Sequence, residues 1–294
     1  ETVLFWTRPT PDVRLTGTLL AAGAEGLFLS TTDGISAHQT DGAPRWAVLV
    51  ADKTKHTHTI LSESLAGTGS ALVTAGDGGL IAWEPQSGAR LFEDDLPVTG
   101  LSAGDFDGDG EVELIALGPQ GVRRYHGSVA TVIDAGAGPW LPPASGDLDG
   151  DGAADLVLLD RLGRLSSVGQ AIDIDVRLGA VPTGAPALAD IDGDGRLEIV
   201  VLTQQQLHVI TAGGLAAAAF PATIPTHHEA GQLFGEPVAG DLDGNGAQEI
   251  YAAASIGIYG IGADGDLLPG FPLLTSASPV YTPLLADIDG DGAV

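Results

Sequence analysis

Cysteine and methionine are both absent from the 294 residues. Without thiols there is no disulfide framework, no thiolate metal site and no cysteine nucleophile. This fits an exported protein, and a chain without methionine even at residue 1 reads as a processed or excised segment. Basic charge is equally scarce. Twelve Lys and Arg stand against 39 Asp and Glu, a formal net charge of −27, and Lys53 and Lys55 are the only lysines. Nucleic acid needs clustered cations and is excluded as a partner, and anionic membrane surfaces are poor candidates for the same reason. The longest apolar run, LAAAAF at 215–220, falls far short of the ~20 residues that cross a bilayer, so no membrane insertion is expected. Aromatics are only 5%, whereas the 43 glycines favour tight turns over long helices. With 44% hydrophobic residues the chain has material for a real core.

What is abundant is one acidic motif. DLDGDGAADLV (147–157) recurs as DFDGDGEVELI (105–115), DIDGDGRLEIV (190–200), DLDGNGAQEI (241–250) and DIDGDGAV (287–294). The first aspartates lie 42, 43, 51 and 46 residues apart. Upstream, SLAGTGSALVTAGDGG (64–79) and LAAGAEGLFLSTTDG (20–34) continue the register with the carboxylates removed. Within one repeat every run is short and bounded by Gly, Pro or Asp, as in LVLLD (156–160), RLSSVG (164–169) and AIDIDVRL (171–178). Four strands per repeat of this length predict an all-β chain, a seven-bladed β-propeller with four-stranded antiparallel blades. It is expected to fold as a single domain over 1–294, with blades lacking the acidic motif over 1–97 and blades carrying it over 98–294. The last blade is too short. Either ETVLFWTRP (1–9) closes it as an N-terminal strand with later strands missing, or the chain is permuted; truncation is the preferred expectation.

Counted from its first Asp, the loop has Asp at positions 1, 3 and 5 (Asn245 once), Gly at 4 and 6, an apolar residue at 2, and Asp or Glu at 9. Hard divalent cations take oxygen ligands, and calcium accepts 6–8 of them in flexible geometry. A tight turn aims side chains 1, 3, 5 and 9 inward, and the position-7 carbonyl (Glu111, Ala153, Arg196, Ala247, Ala293) adds another oxygen. The glycines permit positive φ, and the position-2 residue is expected to point into the core. An EF-hand is excluded, because position 12 is Ala116, Leu158, Val201 or Ala252 instead of a bidentate Glu. Five near-identical copies also argue against a catalytic acid pair. Eighteen of the 39 acidic residues occupy these ligand positions. Without a cation they should raise one another's pKa and push the loop open, so about four to five Ca²⁺ ions are expected to contribute to folding.

DxDGDGxx(D/E) followed by an apolar strand resembles the FG-GAP repeats of integrin α-subunit propellers and their bacterial relatives, the VCBS repeats. FGEPVAGDLDGNGAQEI (234–250) carries the FG dipeptide, and GAPALADIDGDG (184–195) the GAP-like part. The resemblance is specific over 98–294. Residues 1–97 look more like the Trp-bearing blades of quinoprotein-type propellers, as in GLIAWEPQSGARLFE (79–93). It implies a propeller with calcium held by Asp105, Asp107, Asp109 and Glu113; Asp147, Asp149, Asp151 and Asp155; Asp190, Asp192, Asp194 and Glu198; Asp241, Asp243, Asn245 and Glu249; and Asp287, Asp289 and Asp291. Asn245 weakens its site by one charge. Family members bind partners on the opposite face.

The expected function is therefore a calcium-stabilised binding or adhesion module, secreted, periplasmic or at the cell surface, with a protein or glycan ligand. The alternatives are the propeller of an exported enzyme, a polysaccharide lyase or hydrolase or a quinoprotein, and a structural part of a larger surface assembly or polypeptide. No GxSxG, HExxH or phosphate-binding glycine loop is present, so no catalytic residue is assigned. Candidate contact loops are 222–236, with His227, His228 and Glu229, and 51–60, with His56 and His58. The latter pair, two residues apart on one strand face, also suits a transition metal. Arg123 and Arg124 are expected on opposite strand faces as surface charges, and Trp6, Trp46, Trp83 and Trp140 as seam fillers.

Overall fold

The computed structural model describes residues 19–23, 26–31, 34–39, 43–49, 56–135, 138–168, 172–224, 232–242, 244–275, 282–283 and 285. Among them there is no helix. Six four-stranded sheets span 19–49, 56–94, 100–133, 144–177, 187–223 and 233–274, each an antiparallel meander in chain order. These are six of the seven expected repeats. The seventh, built on 287–294 and 1–9, lies outside the described residues, as do Trp6, His227, His228 and Glu229.

The chain forms two compact units, Glu1–Ala137 and Gly138–Val294, with three sheets in each. Inside each unit the sheets stack face to face, and the two-residue period of the strand says how. Glu198–Leu202 is buried along its whole length. Its side chains alternate between neighbours: Ile199 and Val201 pack with Leu148, Val157 and Leu165 of the preceding repeat, Val200 and Leu202 with Ile250, Ala252 and Tyr259 of the following one. In the first unit Leu72 joins Phe28, Ile35 and Trp83, while Val73 joins Leu101, Leu114 and Tyr125. Such strands carry no polar face, which is why EIVVL and DLVLL read as continuous apolar runs. Burying each of these side chains contributes about 1.5–3 kcal/mol of transfer free energy.

Ala116, Leu158, Val201 and Ala252, the position-12 residues, all sit fully buried in strands. Two of the tryptophans donate into seams: Trp83 Nε1 to Thr74 Oγ1 at 2.9 Å and Trp46 Nε1 to the Pro85 carbonyl at 2.8 Å. Arg123 corrects the expectation of a surface charge. It does face away from Arg124, but it is buried, and its guanidinium bonds Asp94 Oδ2 at 3.1 Å. The same oxygen accepts the Tyr125 hydroxyl at 2.6 Å; burial, then that bond, push the phenol's pKa up.

The two contact-loop assignments also change. Residues 56–60 lie in the strand His56–Leu65, and 233–236 begin the strand Leu233–Gly240. The pairing of His56–Leu65 shifts register between His56 and His58. The His56 side chain lies outside the described residues.

Candidate metal centre

Each of the four described acidic loops joins the first and second strands of its sheet, and the same kind of internal hydrogen bonds builds them. Asp at position 1 accepts from the amides of positions 4, 5 and 6: Asp105 from Gly108, Asp109 and Gly110 at 2.7–3.1 Å, with Asp147 and Asp190 in the same role. Asp241 takes the amides of Asn245 and Gly246. Position 5 accepts from the amide of position 7, as in Asp151 to Ala153 at 2.8 Å and Asn245 to Ala247 at 2.8 Å. The path requires a left-handed residue at positions 4 and 6, and the glycines supply it, with φ of 80° at Gly150 and 92° at Gly152. Gly67 and Gly69, in the repeat that lost its carboxylates, keep φ of 70° and 77°.

The position-9 acid opens the second strand and is buried in all four described loops: Glu113, Asp155, Glu198 and Glu249. One of its oxygens accepts the position-2 amide, at 2.9–3.0 Å from Phe106, Leu148, Ile191 and Leu242. The position-2 side chain is less uniform than expected. Leu148 and Ile191 are buried, Phe106 is half-buried, and Leu242 is exposed.

Carboxylates converge as the motif requires. Ligand oxygens of Asp147, Asp149 and Asp155 all lie within 4.8 Å of one another, as do those of Asp190, Asp192 and Asp194, and those of Asp105, Asp107 and Glu113. In the fourth loop Asp243 lies outside the described residues, and so do Asp287, Asp289, Asp291 and Ala293 of the fifth. Burial, and behind it the charges of Asp149, Asp151 and Asp147, raise the Asp155 carboxyl above its ordinary value against the pull of the Leu148 amide. Glu198 is raised likewise, by burial and then by Asp192, Asp194 and Asp190. Mutual repulsion is thus the lesser cause, and burial the greater. Asp105 goes the other way: the Gly110 amide, then those of Gly108 and Asp109, hold it below the usual carboxylate range.

Such a donor set, all oxygen and half-exposed, fits a hard divalent cation. The second and third loops fit it best, since no ion pair among the described residues brings Lys or Arg to them. The first loop differs. Arg124 is ion-paired to Asp107 and lies 3.7 Å from Glu113 Oε2, while His126 Nδ1 lies 3.6 Å from Glu113 Oε1. Sequence reading took Arg124 for a surface charge and did not single out His126. The signal was the spacing of 124 and 126, which puts two side chains on one face of the strand Gly121–His126 beside the loop.

The loop also stitches repeats together. Val112 pairs with Leu65 of the preceding repeat: the Ala66 amide bonds the Val112 carbonyl and the Val112 amide the Ser64 carbonyl, both at 2.8 Å. In the second unit Gln248 does the same for Asp190, its amide donating to the Asp190 carbonyl at 2.8 Å and its Oε1 accepting the Asp190 amide at 2.9 Å.

No curated protein matches the chain in sequence. Residues 190–252, two complete acidic loops with the strands between them, match the family model of the FG-GAP-like repeat. Among solved structures the chain is similar to virginiamycin B lyase from Staphylococcus aureus (TM-score 0.58, 12% identity, covering 90% of this chain and 88% of that one). It is similar also to the C-terminal WD40 domain of Sif2 (TM-score 0.57, 13% identity, 83% and 66%). A third is an Agrocybe aegerita lectin that recognises non-reducing terminal N-acetylglucosamine (TM-score 0.54, 18% identity, 87% and 80%). At these identities the likeness is one of fold, and WD40 repeats are β-propeller blades. Residues 190–252 thus match the FG-GAP-like repeat, on an all-β architecture of four-stranded sheets shared with β-propeller proteins.

Proposed function

We propose that this protein is a calcium-stabilised interaction module working outside the cytoplasm, with a protein or glycan as its ligand. The observation that carries the reading is the second and third loops, where three carboxylates converge within 4.8 Å; the buried acid whose pKa burial raises is Asp155, one of the three, in the second loop and Glu198, a fourth acid, in the third. A divalent ion there supplies the positive charge that lets these acids stay ionised and folded together. Asp147, Asp149 and Asp155 would hold one ion, and Asp190, Asp192 and Asp194 another. Loops of this kind reach their cation at extracellular, millimolar calcium, which supports a location on the cell surface, in the periplasm or in secretion. The ligand surface is assigned to the turns at the opposite ends of the sheets, where no carboxylate cluster competes for contacts. The similarity to a lectin supports a glycan as one ligand class. No catalytic step is part of this reading.

The test is a thermal melt in millimolar calcium and again with EGTA, followed by a glycan and surface-protein array under both conditions. Calcium should raise the midpoint by several degrees, and Asp149→Asn with Asp192→Asn should remove most of that gain. An unchanged midpoint would sink the calcium role, and an array without any retained ligand would sink the binding role.

A further inference from the structure

The first acidic loop is built for a different ion from the others. Its calcium set is compromised, because Arg124 pairs with Asp107 and stands 3.7 Å from Glu113 Oε2. The hairpin register explains why, of the four described loops, this one is affected. Arg124 lies opposite Ile115, and the residues at the matching place in the next three repeats are Ser167, Val209 and Gly260. None of these carries charge.

What remains beside the arginine is a second, mixed cluster. Ligand atoms of Asp109, Glu113 and His126 all lie within 4.8 Å of one another. The acids alone would mean little. Glu113 adds an independent sign: its side chain is wholly buried, its Oε2 is committed to the Phe106 amide, and its Oε1 has no hydrogen-bond partner. A buried, unpartnered carboxylate oxygen is costly to leave unsatisfied. That oxygen faces the His126 imidazole at 3.6 Å, too long for a hydrogen bond. It is close to the ~3.3 Å that separates two ligands of one tetrahedral ion at ~2.0–2.1 Å bond lengths.

We infer that Asp109, Glu113 and His126 form a binding site for a first-row transition-metal ion of the zinc type, which takes the place of calcium in the first acidic loop. Imidazole nitrogen discriminates against calcium, which is poorly served by nitrogen, and favours zinc and its neighbours. Two carboxylates and one imidazole leave room for water at the remaining position of a four-coordinate ion. Arg124 contributes by occupying Asp107, which keeps the loop from completing the all-oxygen set that calcium would take. The site shares Asp109 and Glu113 with the expected calcium set of the first loop but none of the residues of the second and third loops on which the proposed function rests, so the two can fail separately.

Cobalt(II) is the probe, because its visible absorption reports coordination by the protein directly. In protein saturated with millimolar calcium, cobalt should develop a d–d band that saturates at one equivalent more in the native chain than in His126→Asn. Circular dichroism checks that the variant folds, which its half-exposed position at a strand end favours. Arg124→Gln should make the cobalt signal at least about tenfold easier to displace with calcium, because Asp107 is released to the oxygen set. Identical cobalt spectra for the native chain and His126→Asn would overturn the assignment. So would loss of the band from the native chain in millimolar calcium.

Discussion

His208 is a buried imidazole in the strand Gln206–Ile210, with its Nε2 unpartnered, and burial lowers its pKa from the ordinary 6.5. The folded protein therefore binds fewer protons here than the unfolded chain once pH drops below that value. Stability from this residue is present in full above pH ~6.5 and is lost as pH falls through it toward the folded pKa, with a slope of at most ~1.4 kcal/mol per pH unit. His208→Leu should flatten that part of the profile while leaving stability near pH 8 within about 1.5 kcal/mol. Urea midpoints at pH 7.5 and 5.5 for both proteins decide it; parallel pH profiles would show that His208 is not the source. Arg123 makes the opposite point about buried charge. It is held by Asp94 and tolerated because the pair is made.

At the scale of the element, the glycines separate into two kinds. Those inside the described acidic loops, such as Gly152 with φ of 92°, have open space where a Cβ would go, except Gly193, where it would meet the Ala247 Cβ at 3.4 Å. Gly79 and Gly257, which each open the third strand of a sheet, have no such space. A Cβ on Gly79 would lie 2.1 Å from the Asp94 carbonyl oxygen, and one on Gly257 2.2 Å from that of Leu273. Gly152→Ala is therefore expected to cost about 1–2 kcal/mol, the strain of a left-handed alanine alone. Gly257→Ala must displace the fourth strand and should cost more, about 3 kcal/mol or above. Denaturant unfolding orders the two, and equal losses would mean that the close approach relaxes freely. The same element view explains the first and fourth acidic loops: position 9 clasps position 2 while position 8 reaches the preceding repeat, so one nine-residue turn ties a hairpin and a seam together.

For the whole molecule the governing quantity is charge. A formal net charge of −27, with 18 carboxylates gathered in five turns, repels itself whenever cations are withheld. Raising sodium chloride from about 0.02 M to 0.5 M shortens the Debye length from roughly 20 Å to about 4 Å. In EGTA the melting midpoint should then climb with salt, and in millimolar calcium the climb should be clearly smaller. Equal salt gains with and without calcium would show that the repulsion does not reside in the loops. Ions that bind only the folded chain add to this by mass action, ~2.7 kcal/mol for each site at a hundred times its dissociation constant.

Much of this was decided locally and so could be read from the residues in order. The six described sheets, their four-strand rhythm and the left-handed glycines of the acidic turn follow from spacings of two and nine residues. Backbone geometry acts at that range without reference to the rest of the fold. The convergence of Asp147, Asp149 and Asp155 was legible for the same reason. What the tertiary structure alone decided depends on register and stacking across longer separations. Pairing of Ile115 with Arg124 delivers a guanidinium to one acidic loop and to none of the other three described. Packing against Asp94 turns Arg123 from a surface charge into a buried one, and Leu242 stays exposed where Leu148 and Ile191 are covered. The repeated motif specifies a turn that gathers oxygen; the strand that happens to lie beside each copy decides which charges it must share that turn with.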